Sequence, residues 1–266
     1  MYDDYEHLRF AQSGKILTVT LDHPPMNAVN RKLHGELARV FWQINRDSSV
    51  AVVVVTGAGD RAFSAGGDLN AMKKRLDEGE HASWTNTIWE AREILQSVLG
   101  LEKPLIARIN GHAMGLGATL AVLADFSYMV RTAKIADSHV KVGLSPGDGG
   151  ALLWPILMGF AKARLHLMTG EPLTGEEAAS AGLITEAFDD LAALDAKVES
   201  MSNLLARSAN RAVNSAKITI NAVLMNLIGP VMSQSLAQET NTYLTDDHRE
   251  AVNAFLEKRE PRFEGR

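Results

Sequence analysis

An α/β fold is predicted by three features of this sequence. Val52-Val53-Val54-Val55-Thr56 and Leu105-Ile106-Ala107-Arg108-Ile109 have the continuous apolar character of strands buried on both faces. Each runs into a glycine-rich turn and then a helix-forming segment, so strands and helices alternate along the chain. Crossovers of that kind are right-handed and leave the helices outside the sheets.

The elements follow in order. Leu8 to Phe10 and Ile16 to Leu21 read as a hairpin around Ser13-Gly14, ended by Asp22-His23-Pro24-Pro25. Asn30 caps a helix from Arg31 to Asn45, where Leu33, Leu37, Val40, Phe41 and Ile44 recur at the three-to-four spacing of a buried stripe. After Val52 to Thr56 and its turn, helices are predicted from Leu69 to about Gly79 and from Ala82 to Gly100; Lys103-Pro104 breaks the second. The strand Leu105 to Ile109 runs into Asn110-Gly111-His112-Ala113-Met114-Gly115-Leu116-Gly117, then a small-residue helix to about Leu123. Phe126 to Arg131 and Lys134 to Ala136 read as strands, and a helix begins near Ala151 after a glycine-rich loop. Thr174 with Glu177 forms a capping box. A short strand follows Gly182. Helices then run over Ala192 to Asn226, Val231 to Tyr243 and Asp247 to Lys258, with Gly229-Pro230 as a break. We divide the chain into a core, 1–195, and a helical C-terminal region, 196–266.

Composition narrows the function. A chain of 266 residues, 46% of them hydrophobic, can bury a large core. The net charge of −5 leaves no basic footprint, so nucleic acid is not an expected partner. With no cysteine, neither disulfides nor thiolate metal sites can form. The acidic start, Tyr2 to Glu6, is unlike a secretory signal, and the apolar run from Gly115 to Val130 is interrupted by polar residues. A cytoplasmic protein without a membrane span is expected. No His/Asp/Glu cluster stands at metal-ligand spacing, and the glycine turns match neither a P-loop nor a dinucleotide fingerprint.

What the two turns offer is backbone chemistry. Free amides in a glycine-rich turn at a helix start stabilise developing negative charge, and Gly66-Gly67 lets a ligand approach the main chain closely.

Pro25-Met26-Asn27-Ala28, Phe63-Ser64-Ala65-Gly66-Gly67-Asp68-Leu69 and Asn110 to Gly117, with the tail Ala254 to Arg259, Pro261 and Phe263, form an ordered set. In these stretches, and over nearly its whole length, the chain resembles the crotonase, or enoyl-CoA hydratase/isomerase, superfamily. That resemblance implies a spiral of repeated ββα units and a helical C-terminal region that makes homotrimers or homohexamers. It implies an oxyanion hole from the backbone N–H groups of Gly67 and Leu116, which would hold the thioester oxygen as an enolate forms; each such donor is worth about 3–4 kcal/mol. It places Asn27, Ala28, Ala65, Gly66, Asp68, Leu69, Gly115, Thr119, Phe255 and Lys258 along an acyl-CoA substrate, Phe255 and Lys258 in a neighbouring subunit's site. Coenzyme A enters as part of the substrate, and no separate cofactor is implied.

The chain departs from the family's hydratases at the acid–base positions. Where they carry two glutamates, this sequence has Thr119 and His139. His139 can take a proton near neutrality, and Asp148, across Gly143 and Pro146-Gly147, can fold back to orient it or act itself. Equally, Asp148 suits a helix N-cap. Three activities stay open: an enoyl-CoA hydratase/isomerase-type lyase or isomerase with altered acid–base residues; hydrolytic C–C cleavage of a β-dicarbonyl compound or its CoA thioester by His139 and Asp148, as in the β-diketone hydrolases of the superfamily; and thioester binding without chemistry. His112 and Glu239 read as surface residues, and Met225 to Met232 as helix packing.

Overall fold

The computed structural model describes residues 2–79 and 81–266; Met1 and Glu80, which fall in the stretches read above, lie outside the described residues. A six-stranded sheet is built, in spatial order, from β1 (Leu8–Ser13), β2 (Ile16–Leu21), β3 (Val52–Gly57), β5 (Leu105–Ile109), β7 (Phe126–Val130) and β10 (Glu186–Phe188). A smaller sheet has the order β4 (Ala62–Ser64), β6 (His112–Met114), β8 (Lys134–Ala136) and β9 (Leu173–Thr174). Successive strands alternate between sheets: β3 then β4, β5 then β6, β7 then β8. Each pair gives one strand to each layer before a helix returns the chain, which is the repeated ββα spiral. The strands β4 and β6 lie inside stretches read as turns, because three residues are too few to display a two-residue alternation.

Packing explains why the long strands read as uninterrupted apolar runs. On one face of the large sheet, Val53, Val55, Leu105 and Ala107 belong to the main core, with Leu33, Leu37 and Phe41 from α1 (Arg31–Asn45) and Ile94, Leu95 and Val98 from α3 (His81–Leu99). On the other, Val52, Val54, Ile106 and Tyr128 pack against Leu194, Val198 and Leu205 of α8 (Leu191–Arg207). Residue 195, the boundary set from sequence, falls inside α8, a helix that covers the sheet.

Between the repeats lie α2 (Leu69–Glu78), α4 (Leu116–Leu123), α5 (Gly150–Met158), α6 (Phe160–Thr169) and α7 (Gly175–Ala181), the last with its Thr174–Glu177 capping box. The C-terminal region differs from expectation. Helix α9 (Asn210–Tyr243) runs unbroken through Pro230, and the real break is at Ser208-Ala209, where both residues leave helical geometry. Proline removes only one intrahelical bond, and Ile228, Met232 and Leu236 are buried on either side of it. Helix α9 is also, among the described residues, long and apolar enough by length and composition to cross a membrane, a feature the sequence reading passed over. Its Lys217 is buried in an ion pair with Asp125 at 2.7 Å, which ties it to the body of the fold. Finally, α10 (Asp246–Glu257) closes the chain.

Candidate active site

Strands β4 and β6 are parallel neighbours, so the turns that leave them emerge side by side. Their contact is intimate. At Gly66, with φ +79°, a Cβ would stand 2.7 Å from the Met114 carbonyl oxygen and 3.5 Å from Gly115 Cα. Only glycine meets both the positive φ and the approach. At Gly117, likewise, a Cβ would come 2.7 Å from Ser64 Cβ, so α4 can seat against β4. Asn110 braces the assembly, its amide bonding Gly57 N at 3.1 Å, Gly57 O at 3.0 Å and Gly59 O at 2.8 Å.

Amides around the two turns are used up. Gly66 N donates to Ser64 Oγ, Asp68 N to Val29 O, Gly115 N to Ala136 O and Thr119 N to Gly115 O. Gly67 N and Leu116 N make no such bond among the described residues. Leu116 opens α4, so its N–H is free by helix geometry and stands at the positive end of the helix dipole. Both residues line one cavity.

That cavity also holds His139, Asp148 and Glu239. Strand β8 ends beside the second turn; Asp137 follows it, then a 3₁₀ turn, His139–Val142. Asp137 Oδ1 accepts from His139 Nδ1 at 2.7 Å, and His139 Nε2 lies 3.5 Å from Asp148 Oδ2. The imidazole reaches the second glycine turn: its Cε1 is 3.7 Å from the point a Gly115 Cβ would occupy. Burial alone would favour the neutral ring, but the Asp148 and Asp137 carboxylates overcome it and hold His139 protonated well above its ordinary 6.5. Burial likewise opposes ionisation of Asp148; the His139 charge outweighs it and keeps that carboxyl below 3.8. Glu239, from α9, goes the other way. Burial, reinforced by the charge of Asp148, pushes it well above 4.5 and favours the protonated carboxyl.

Buried polar atoms are ordinarily paired. Here Asp148 Oδ1 and Glu239 Oε2, on two residues that line the cavity, are buried without a protein partner, which suits a site made for a ligand. Asp137, His139 and Asp148 also bring one potential ligand atom each within 4.8 Å of one another, correcting the expectation that no such cluster exists. The loop through Gly143 and Pro146-Gly147 folds Asp148 back onto His139, which spacing along the chain could not display. A protonated imidazole between two carboxylates offsets part of their charge and leaves the trio net negative.

Comparisons with known proteins place the chain in a family. The sequence model of the enoyl-CoA hydratase/isomerase family matches residues 11–266. The chain belongs to the enoyl-CoA hydratase/isomerase family. It is 32% identical to carnitinyl-CoA dehydratase of Citrobacter koseri over 98% of this chain and 99% of that one. It is also 32% identical to 1,2-epoxyphenylacetyl-CoA isomerase of Escherichia coli, over 94% and 95%. The crystal structure of an enoyl-CoA hydratase/isomerase from Mycobacterium paratuberculosis superposes with a TM-score of 0.88 at 32% identity, covering 94% of this chain and 99% of that one.

Within this crotonase fold the predicted residues sort into two groups. Gly67, Leu116, His139 and Asp148 meet at the cavity. Asp148 is not a helix cap: Gly149 holds that position for α5, where no side chain caps the helix. The partner that orients His139 Nδ1 is Asp137, which the sequence reading passed over, and Asp148 faces the other nitrogen. Thr119 does not line the cavity; it is buried beneath Gly149, where a Cβ would lie 2.3 Å from its Cγ2. Asn27 is buried with φ 54° and uses its side chain to brace Ala58 O and Ala62 O, both at 3.0 Å, while Ala28 O bonds His23 Nδ1 at 2.6 Å. Ala65 N is held by Met26 O, and Asp68 caps α2 just ahead of Leu69 through Asn70 N and Ala71 N. His112 accepts from Lys134 N, away from the cavity. Phe255 and Lys258 stand exposed at the end of α10.

Glu239 corrects the surface reading most directly. Its signal was present: Ile228, Met232, Leu236, Glu239 and Tyr243 recur every three or four residues, which puts the glutamate on the buried stripe of α9.

Proposed function

We propose that this protein is an acyl-CoA lyase or isomerase that works through a thioester enolate, with Asp148 and Glu239 as its acid–base pair. One observation carries the reading: two carboxyl groups, Asp148 and Glu239, whose pKa values the site drives in opposite directions, face the same cavity as two unpaired amides. In the dehydrating direction, Asp148 would take the Cα proton of a 3-hydroxyacyl thioester. The electron pair moves into the thioester carbonyl, and Gly67 N–H and Leu116 N–H stabilise the oxyanion. As the enolate collapses, the Cβ–O bond breaks and Glu239 protonates the departing hydroxyl, releasing water and a 2-enoyl thioester. His139, protonated between Asp137 and Asp148, keeps the base ionised. Coenzyme A belongs to the substrate, and a homotrimer or homohexamer free of nucleic acid and membrane is the form we infer.

A specific observation favours one competitor. His139 and Asp148 do meet in space, as a retro-Claisen hydrolase of β-dicarbonyl compounds would use them. The deciding experiment incubates crotonyl-CoA, longer 2-enoyl-CoAs and their 3-hydroxyacyl counterparts with the parent, Asp148→Asn and Glu239→Gln. Interconversion by the parent, lost in either variant, supports the enolate lyase. Cleavage of a β-dicarbonyl substrate with all these thioesters untouched overturns it.

A further inference from the structure

The cavity contains a second polar element, one that the acid–base chemistry leaves unused. His34 of α1 lines it and is 9% exposed. Its Nδ1 lies 2.7 Å from Glu90 Oε2 of α3. The wall around it mixes apolar Val29, Met72, Trp84, Ile88 and Ala91 with polar Asn30, Arg31, Arg75 and Thr87. A buried polar pair costs free energy unless its remaining groups find partners. Nδ1 has one in Glu90, but Nε2 has none among the described residues, nor is it one of the atoms sealed from the cavity.

The pair is also fitted into place. Gly35 leaves room for the glutamate, since a Cβ there would come 3.2 Å from Glu90 Oε1. The Glu90 carboxylate on Nδ1 fixes the orientation of the ring and turns Nε2 toward the cavity. A hydroxyl can hydrogen-bond to that nitrogen, and an alkyl chain cannot.

We propose that His34, oriented by Glu90, sets acyl-group specificity by hydrogen-bonding, through Nε2, a hydroxyl on the acyl chain beyond the reacting carbons. The proposal rests on the acyl-CoA reading above and names the class of acyl group. Its geometry requires a chain long enough to pass Asp148 and reach the space between α1 and α3.

The test uses unreactive thioether analogues of coenzyme A, in which the thioester carbonyl is replaced by methylene. Straight alkyl chains are paired with chains of the same length hydroxylated at each carbon beyond Cβ. Dissociation constants are measured calorimetrically. For at least one position the parent is expected to prefer the hydroxylated member by about tenfold, the size of one hydrogen bond with an uncharged partner. His34→Leu should abolish that preference while binding the alkyl chain as tightly or more so. His34→Gln, which retains an acceptor, should keep part of it. Glu90→Ala leaves the imidazole present but unoriented and should reduce the preference several-fold, a result that stands even if His34→Leu fails to fold. A merely structural role would weaken all analogues alike, and that outcome, or equal binding of both members by the parent, overturns the assignment to His34. If the parent binds no thioether at all, the acyl-CoA reading itself fails.

Discussion

Replacing Leu116 with proline isolates one oxyanion donor. The residue is the first of α4, so its N–H has no intrahelical role, and proline is well suited to that position. Gly115 precedes it and has no Cβ to meet the proline ring. The substitution therefore removes the amide at little cost to the backbone. It also trims a side chain that is 6% exposed, which should cost about 2–5 kcal/mol of stability and lower Tm by roughly 4–20 °C for a chain of this size. Leu116→Ala carries that same packing loss while keeping the N–H. The ratio of the two variants is thus the value of the donor, about 10²–10³ in kcat with KM little changed, because the bond strengthens as charge develops on oxygen. Steady-state turnover of a thioester accepted by the parent gives the numbers, with thermal unfolding as the check on folding. If proline and alanine variants turn over within about threefold of each other, the Leu116 amide does not hold the oxyanion.

Three further outcomes follow. Glu239 and His139 both have raised pKa values in the folded state, so each contributes stability fully present below its ordinary value, 4.5 and 6.5, and lost as pH rises toward the folded one. The parent should accordingly lose stability relative to Glu239→Gln in urea titrations between pH 5 and 8, and a constant difference would contradict an upward-shifted Glu239; Asp148, shifted downward, matters only below about pH 4. Gly66→Ala should destabilise by more than Gly59→Ala: both glycines have positive φ, but a Cβ meets the Met114 oxygen at 2.7 Å in the first and nothing within 4 Å in the second. Equal melting temperatures would refute the close approach of the two turns. The exposed apolar residues Ile220, Val223, Leu227 and Val231 on α9 should be covered by other copies of the chain, giving a trimer or hexamer by analytical ultracentrifugation; a monomer at micromolar concentration would count against it.

The strands, the first helix and the two glycine turns were legible because each is written in local chemistry. Asn30 caps α1 where the pattern says, and the valines of β3 are buried on both faces because α1, α3 and α8 cover both sides. The acid–base residues were legible only in part. His139 and Asp148 stood out as residue types, but their relation depends on a loop that folds back and on Asp137, whose role follows from the 3₁₀ turn. His34 and Glu239 were hidden for a different reason. Each lies on the buried stripe of a long helix, where a polar residue is legible as functional only once the facing cavity is known.

The division between fixed and movable parts has a physical cause. The amides of Gly67 and Leu116 are placed by strand pairing between β4 and β6 and by glycines that admit no side chain, so they persist as long as the fold does. The proton-handling groups are side chains contributed by separate segments: Asp137 and His139 after β8, Asp148 before α5, Glu239 on α9. Any of these can change without disturbing the sheets. The cavity's carboxyl groups, Asp148 and Glu239, come from two separate elements. In the proposed reaction negative charge would develop at a place the backbone sets, whereas the bond that breaks would depend on where Asp148 and Glu239 reach the acyl chain. A substrate whose Cα proton faces Asp148 while its β-substituent faces Glu239 would eliminate. Were both groups on one side of the enolate, the same site would move a double bond instead.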